Sequence, residues 1–264
     1  MTIYTPAMPL TDDAGIFAPL FRSSNRILQG DELRSFRNRP LAVLSPHFHD
    51  ACSSLGAFLA HLSTGHLVNV FTQDGAVRPG TSDFDTMDRQ DAAFAARCRM
   101  QRHDLGCEAP DRRGRDPRDL DGLADDLTQI GAPVLASLDK IAATMAAGER
   151  GILLCPLGPG RHVNRRALAT LVAREMPRLR RHYDVHFYEE LPYASRPIAR
   201  NVALHRLRRQ VNLSARYVFP ARWWNKRELL QLYPSLFDGF PRPARFNPAS
   251  LFPAFPHEAF WSAF

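Results

Sequence analysis

Two imidazoles and a carboxylate lie together where an apolar run of the sequence ends. In the stretch LAVLSPHFHDACSSLGAFLAHL, residues 41–62, Pro46 closes the apolar run and is followed by His47, His49 and Asp50. Imidazole titrates near neutral pH, so it can act as a base or as a neutral metal ligand. The stretch therefore contains the residue types of an acid–base or metal site.

A second group of such residues follows the apolar run GILLCP, residues 151–156. In the segment LGPGRHVNRR, His162 and Arg165 are three positions apart at the start of a predicted helix, so both can point the same way. In open parallel α/β sheets, ligands bind outside the carboxyl ends of the strands. If the two apolar strands are neighbours, one crevice collects His47, His49, Asp50, His162 and Arg165. The alternative is that each residue only closes a turn or a helix, with Asp50 as an ordinary N-cap.

The elements that must position these residues alternate between strand and helix from residue 41 to residue 192. This alternation predicts an α/β fold with a Rossmann-like, mostly parallel sheet and helices on both faces. The predicted strands cover residues 41–46, 66–73, 151–156 and 184–192. The predicted helices cover residues 50–62, 85–102, 135–147 and 165–174.

The two ends of the chain differ from this central part. Residues 1–38 mix short apolar groups with turns and are interpreted as an N-terminal extension, and residues 39–264 as a single α/β domain. Within that domain, residues 198–264 are predicted to form helical pieces and then a wrap rich in proline and phenylalanine. Because disordered segments are poor in aromatic residues, we expect the phenylalanines of this tail to be buried.

Composition limits the partners. The formal charge of +7 comes almost wholly from arginine, since the only lysines are Lys140 and Lys226. The arginine runs are interleaved with acids, which favours a solvated surface, so we predict no nucleic-acid partner. The four cysteines form no C-x-x-C pair, and no apolar stretch approaches the roughly 18 residues of a membrane span. We therefore predict a cytoplasmic protein with a small-molecule substrate and no membrane partner; nothing in the pattern specifies an oligomeric state.

Several of these motifs together resemble the PIG-L/LmbE-type zinc-dependent N-deacetylases. The stretch SPHFHDACSSLGAFLAHLSTGHLVNVFTQDG resembles the first βαβ unit of that family, whose signature after the first strand is Pro-His-x-Asp-Asp. The resemblance covers about residues 40–262. It implies an α/β fold and a hydrolase acting on the amide bond of a small polar metabolite, N-acylated and sugar-like or amino-acid-like. The further matching motifs are Arg89-Gln90-Asp91, PLGPGRHVNRRAL, FYEELPYA and HEAFW.

The resemblance also implies roles for single residues. His47 matches the first zinc ligand of the family and Asp50 its carboxylate ligand. The family's general base, an aspartate, falls on His49, and His162 matches the histidine that assists the tetrahedral intermediate. The third zinc ligand, the second histidine of His-x-x-His, falls on Arg165. Two functional positions are therefore changed.

The change at Arg165 bears directly on the metal. A catalytic zinc has three protein ligands plus water, and a protonated guanidinium has no lone pair to offer. At a few Å, it would also repel a divalent cation by several kcal/mol, taking an effective dielectric constant of about 20. We expect Arg165 to pair with Asp50 in the place of the metal, so no cofactor is favoured.

Other arrangements remain open at this stage. Zinc is possible if His47, His49 and Asp50 bind it and His162 completes the set. Alternatively, His49 is a base without a metal, while His162 and Arg165 stabilise an oxyanion. Arg165 could equally bind a carboxylate or phosphate of the substrate.

Two further candidates for substrate binding are Asp74 and Arg89. Asp74 follows the second predicted strand and so either lines the crevice or closes a turn. Arg89 and Asp91 match family positions, but they also fit a surface pair.

Two functions follow from the sequence: a divergent enzyme with a metal-free or altered site, or a relative without catalysis that binds a metabolite or a partner. We favour the enzyme.

Overall fold

The computed structural model describes residues 24–62, 64–73, 82–237 and 257–264. Strands and helices alternate through most of this part of the chain. The strands are β1 (Ser24–Ile27), β2 (Leu41–Ser45), β3 (Gly65–Asn69), β4 (Met100–Asp104), β5 (Gly151–Pro156), β6 (Tyr183–Tyr188), β7 (Leu213–Pro220) and β8 (His257–Ala263). The helices are α1 (Gly30–Arg37), α2 (Asp50–Leu59), α3 (Ser82–Arg97), α4 (Leu123–Ala142), α5 (Val163–Arg174), α6 (Met176–Leu179), α7 (Pro197–Arg208), α8 (Trp223–Leu230) and α9 (Pro234–Phe237).

The described strands form one mixed sheet in the order β1-β7-β8-β6-β5-β2-β3-β4. Strand β8 runs antiparallel to both of its neighbours, and the other pairings are parallel. The central strands β2 and β5 are buried at every position, as expected for parallel strands covered on both faces. The predicted α/β class and mostly parallel sheet are confirmed.

Helices cover both faces of the sheet, and each face has its own hydrophobic core. On one face, α2 and α3 contribute Phe58 and Phe94, which are fully buried. On the other face, α4, α5 and α7 contribute Val134, Leu168 and Leu204. The sheet is thus held between two layers of helices, and its carboxyl edge is left for the loops.

Several strands differ from the sequence prediction. The segment predicted to be helical and wrapping contains β7 and β8, and Phe260 of β8 is fully buried in the sheet. Strand β7 follows the arginine-rich helix α7 within the segment predicted to be helical, and the pairing of β8 with β6 joins residues about 75 positions apart, which no local pattern indicates. Strand β1 and helix α1 lie within the predicted N-terminal extension. The proline- and phenylalanine-rich residues 238–256 lie outside the described residues, so the burial of their side chains stays a prediction.

Strand β4 overlaps in sequence with the end of the helix predicted at residues 85–102 and was therefore not predicted. Helix α3 ends at Arg97, and Arg99 takes a left-handed backbone conformation with φ 55° before the chain enters β4. Among the described residues, no helix is both long enough and apolar enough to cross a membrane.

Candidate functional site

The two groups of polar residues meet because β2 and β5 are neighbours. Leu41 of β2 is paired with Ile152 of β5, and both strands run in the same direction. The turn after β2 and the loop after β5 therefore leave the sheet side by side. The rings of His47 and His162 come within 5.1 Å between centroids.

The turn after β2 is held in a tight conformation. Ser45 Oγ donates to the carbonyl of His47 at 2.7 Å and accepts from the amide of Ala51 at 3.2 Å. His49 has φ 71°, a left-handed conformation that is uncommon outside glycine. Its carbonyl accepts from the amide of Ser53 and so starts α2. Asp50 is thus the first residue of the helix rather than an ordinary N-cap.

A buried ion pair lies at the centre of the site. Arg165 Nη2 donates to Asp50 Oδ1 at 2.7 Å, and His47 Nδ1 lies 3.0 Å from Asp50 Oδ2. The exposed fractions are 2% for Asp50 and 4% for Arg165. Burial alone would raise the pKa of Asp50, but the guanidinium of Arg165 and the hydrogen bond from His47 hold it well below its ordinary value. Both groups are therefore charged at neutral pH.

The guanidinium of Arg165 is also fixed from two other directions. Its Nε lies 3.3 Å from Glu190 Oε1, and its Cζ lies 4.2 Å from the centroid of the Tyr193 ring. Glu190 Oε2 accepts from the amide of Gly158 at 2.5 Å. Burial raises the pKa of Glu190 to about 8, although Arg165 works against this rise. Glu190 is therefore mostly protonated near pH 7, while Nη1 of Arg165 is buried and has no hydrogen-bond partner among the described residues.

Asn164 contacts the site, although no sequence argument selected it. Its Nδ2 lies 2.8 Å from His47 Nε2, and its side chain is fully buried. We assign the proton of His47 to Nδ1, because that nitrogen faces the Asp50 carboxylate; Nε2 then accepts from the Asn164 amide. The position of Asn164 beside Arg165 in the first turn of α5 was the only signal in the sequence.

The other two histidines are neutral at pH 7. Burial, with the nearby His47 and Arg165, lowers the pKa of His162 to about 3. Burial likewise lowers the pKa of His49 to about 4, although Asp50 works against this shift. His49 Nε2 lies 3.7 Å from Asp50 Oδ1. The site thus has two uncharged imidazoles beside one ion pair.

Asp91 is buried and accepts a hydrogen bond from the turn after β2, so the interpretation of Arg89 and Asp91 as a surface pair is wrong for Asp91. It is 1% exposed and accepts from Tyr233 Oη at 2.6 Å, from Asn69 Nδ2 at 2.6 Å and from the His49 amide at 3.4 Å. Arg89, by contrast, is exposed on α3 and its guanidinium donates to Thr86 Oγ1 of the same helix. Asp74 lies outside the described residues.

Comparisons with known proteins identify the fold. No family model matches the chain, and no curated protein matches it in sequence. A deacetylase from the teicoplanin biosynthesis pathway, solved with teicoplanin, has a TM-score of 0.63 at 15% identity over 85% of this chain and 98% of its own. An A40926 pseudoaglycone deacetylase has a TM-score of 0.63 at 16% identity over 86% of this chain and 98% of its own. A zinc-inhibited form of a teicoplanin deacetylase has a TM-score of 0.62 at 15% identity, with coverages of 85% and 98%.

These similarities extend over nearly the whole length of each neighbour. The chain has the fold of PIG-L/LmbE-type deacetylases, and the resemblance that the sequence motifs indicated is confirmed at the level of the fold. At such low sequence identity, the likeness concerns the fold and not the chemistry of the site.

Proposed function

We propose that this chain is a divergent enzyme of the deacetylase fold that acts without a metal ion. Its substrate is a small polar metabolite, N-acylated and sugar-like or amino-acid-like. The observation that carries the proposal is the buried Arg165–Asp50 ion pair, with 2.7 Å between Nη2 and Oδ1, at the positions that the resemblance assigns to zinc ligands.

The side chains at these positions do not fit a zinc ion. A zinc ligand must present a free lone pair, but His47 Nε2 already faces the Asn164 amide. Both oxygens of Asp50 face donors, one from His47 and one from Arg165. The fixed positive charge of Arg165 supplies at this point the electrostatic role that a cation would have.

The remaining groups suit an acyl transfer to water. In this proposal, the neutral His49 takes a proton from a water molecule, while the oxygen of that water bonds to the acyl carbon of the substrate. His162 and Nη1 of Arg165, which has no hydrogen-bond partner within the described part of the chain, donate to the oxyanion that forms. The C–N bond then breaks, and the proton held by His49 passes to the leaving amine, which gives an acid and an amine. Glu190 positions Arg165 during this sequence.

A second candidate is favoured by one observation. A pKa of about 4 makes His49 a weak base, which suits a pocket that binds an N-acyl metabolite without hydrolysing it. In this second proposal, the chain is a non-catalytic relative of the deacetylases, and its fold and ion pair serve only to recognise the metabolite.

An assay of amine release from N-acetylated amino sugars and N-acetyl amino acids distinguishes the enzyme from the non-catalytic binding protein. We expect release that survives treatment with a chelator and is lost in His49→Ala, while His205→Ala, which changes an exposed histidine of α7, behaves as the wild type. Saturable binding without amine release would favour the second candidate. Activity that disappears with chelator and returns with zinc would contradict the metal-free site.

Metal content provides an independent test. We expect no stoichiometric zinc in native protein purified without chelator, and about one zinc per chain in Arg165→His after the same exposure. One zinc per native chain would contradict the role given to Arg165.

A further inference from the structure

Two arginines flank the junction between the loop after β5 and helix α5, at the edge of the sheet where open α/β folds bind their ligands. Arg161 precedes His162 in this loop and is exposed, and Arg166 lies in the first turn of α5 and is half-buried. The amide of Arg166 donates to the carbonyl of His162 at 3.2 Å, so the spacing between these two residues is helical. Residues four apart on a helix are neighbours, with roughly 5–6 Å between their Cβ atoms. Arg166 is therefore a neighbour of His162 in the candidate site.

The positive charges of these two arginines are not offset by acids. Within the described part of the chain, neither guanidinium forms an ion pair with an aspartate or a glutamate, and Nε of Arg166 is buried without a hydrogen-bond partner. A buried donor without a partner is destabilising, and a ligand that accepts from it removes that cost. Other partly buried arginines do pair with acids: Arg102 with Asp88 and Asp104, Arg113 with Asp126, and Arg216 with Glu189.

A third arginine approaches the same loop from α7. Arg206 Nη2 donates to the carbonyl of Gly158 at 2.7 Å, which fixes this guanidinium to the loop. Burial and the charge of Arg166 lower the pKa of Arg206 to about 10, although Glu190 works against this shift. Burial and the charge of Arg161 likewise lower the pKa of Arg166. The three positive charges thus disfavour one another, and an anion bound by Arg161 and Arg166 would relieve this repulsion.

Charge and position narrow the class of anion. Arg206 is engaged by the loop, so Arg161 and Arg166 are left to offer two positive charges to a ligand. A phosphate monoester carries about 1.5 to 2 negative charges at pH 7 and three acceptor oxygens, and guanidinium groups bind such oxygens in pairs. A carboxylate would supply one negative charge. Resting on the proposed function, we propose that the N-acylated substrate carries a phosphate group, which Arg161 and Arg166 bind next to the reacting acyl group.

Calorimetric titration of the full chain tests this proposal with two matched pairs of probes. The pairs are N-acetylglucosamine 6-phosphate beside N-acetylglucosamine, and N-acetyl-O-phosphoserine beside N-acetylserine. At about 150 mM ionic strength, we expect at least one phosphorylated probe to bind about tenfold or more tightly than its unphosphorylated partner. In Arg161→Gln/Arg166→Gln this ratio should fall below about threefold, because the charge-assisted hydrogen bonds to the phosphate are lost.

A matched control separates this site from the general positive charge of the chain. Arg174→Gln/Arg227→Gln removes two exposed arginines, one at the end of α5 and one on α8, and should bind each probe as the wild type does. Arg161→Gln alone changes only an exposed loop position and should give a partial loss of the same ratio. Thermal melting of each variant verifies that the fold is intact. The proposal is overturned if neither phosphate group raises the affinity of the wild type, or if Arg161→Gln/Arg166→Gln binds the phosphorylated probes as the control does.

Binding and hydrolysis give separate answers, because the titration needs no turnover. Phosphate-dependent binding without amine release from any probe would support the phosphate site and contradict the hydrolytic function. Amine release with the same kcat/KM for both members of each pair, in the wild type and in Arg161→Gln/Arg166→Gln, would support the hydrolytic function and overturn the phosphate site.

Discussion

Replacing Arg165 with methionine should destabilise the protein strongly. Methionine keeps an unbranched apolar stem but removes the guanidinium and its charge, so Asp50 keeps a buried negative charge beside His47 and His49 without its ion-pair partner. Removing one partner of a buried ion pair costs about 3–5 kcal/mol. The free energy of unfolding of a single domain is about 5–15 kcal/mol. We therefore expect Arg165→Met to lose a large share of this free energy at pH 7.

The loss should depend on pH in a defined direction. The pKa of Asp50 is lower in the native state than in the unfolded state, so its contribution to stability is present above its unfolded value and is lost as the pH falls through the folded value. Without Arg165, burial raises the pKa of Asp50 in the variant. Its carboxyl group then takes up a proton in mild acid, and the difference between the wild type and Arg165→Met should narrow from pH 7 to pH 4.

Urea denaturation at pH 7, 5.5 and 4 measures this difference. A double-mutant cycle with Asp50→Asn isolates the pair, and we expect the double variant to be at least about 1 kcal/mol more stable than the sum of the single variants predicts. Arg227→Met, at an exposed position, is the control for the loss of an arginine. A cost below about 1 kcal/mol, with additive effects and no narrowing in acid, would refute the reasoning.

Three further predictions follow from the same contacts. Burial raises the pKa of Glu190 to about 8, so the contribution of Glu190 to the stability of the wild type should fall as the pH rises from about 4.5 to 8, because the unfolded chain loses this proton first. Glu190→Gln should therefore be more stable than the wild type at pH 8 by about 1–3 kcal/mol in urea denaturation, with the two converging near pH 5; parallel curves would contradict this. In the Arg165→His background, Asn164→Ala should raise the affinity for zinc about 2- to 10-fold in a competition titration. The reason is that His47 Nε2 no longer has to give up its hydrogen bond with Asn164 in order to bind the metal. An unchanged affinity would show that this hydrogen bond does not oppose zinc binding. His49→Ala should lower the rate of amine release at least about 100-fold and change the Kd of a substrate by less than about threefold, whereas equal losses in both would make His49 a binding residue.

The fold could be predicted wherever local pattern and burial agree. Strands β2 and β5 are apolar at nearly every position, and the helix pattern from Asp50 fits α2. Strands β4, β7 and β8 could not be predicted in this way, because β4 continues a helical pattern and β7 follows the arginine-rich helix α7 in a segment that was predicted to be helical. Strand β8 is stabilised by its partners β6 and β7, which lie far from it in sequence.

For the candidate site, the sequence alone determined the residue types. Two histidines and an aspartate after one strand, and a histidine and an arginine after another, indicated an acid–base or metal site, and the resemblance placed an arginine, which has no lone pair to donate, where the family has its third zinc ligand. Only the tertiary structure decided which groups meet. The parallel pairing of β2 with β5 brings Arg165 to Asp50 across 115 positions and Asn164 to His47 across 117. The same packing buries Asp91 and Glu190, because burial depends on the elements that cover a residue and not on its neighbours in the chain.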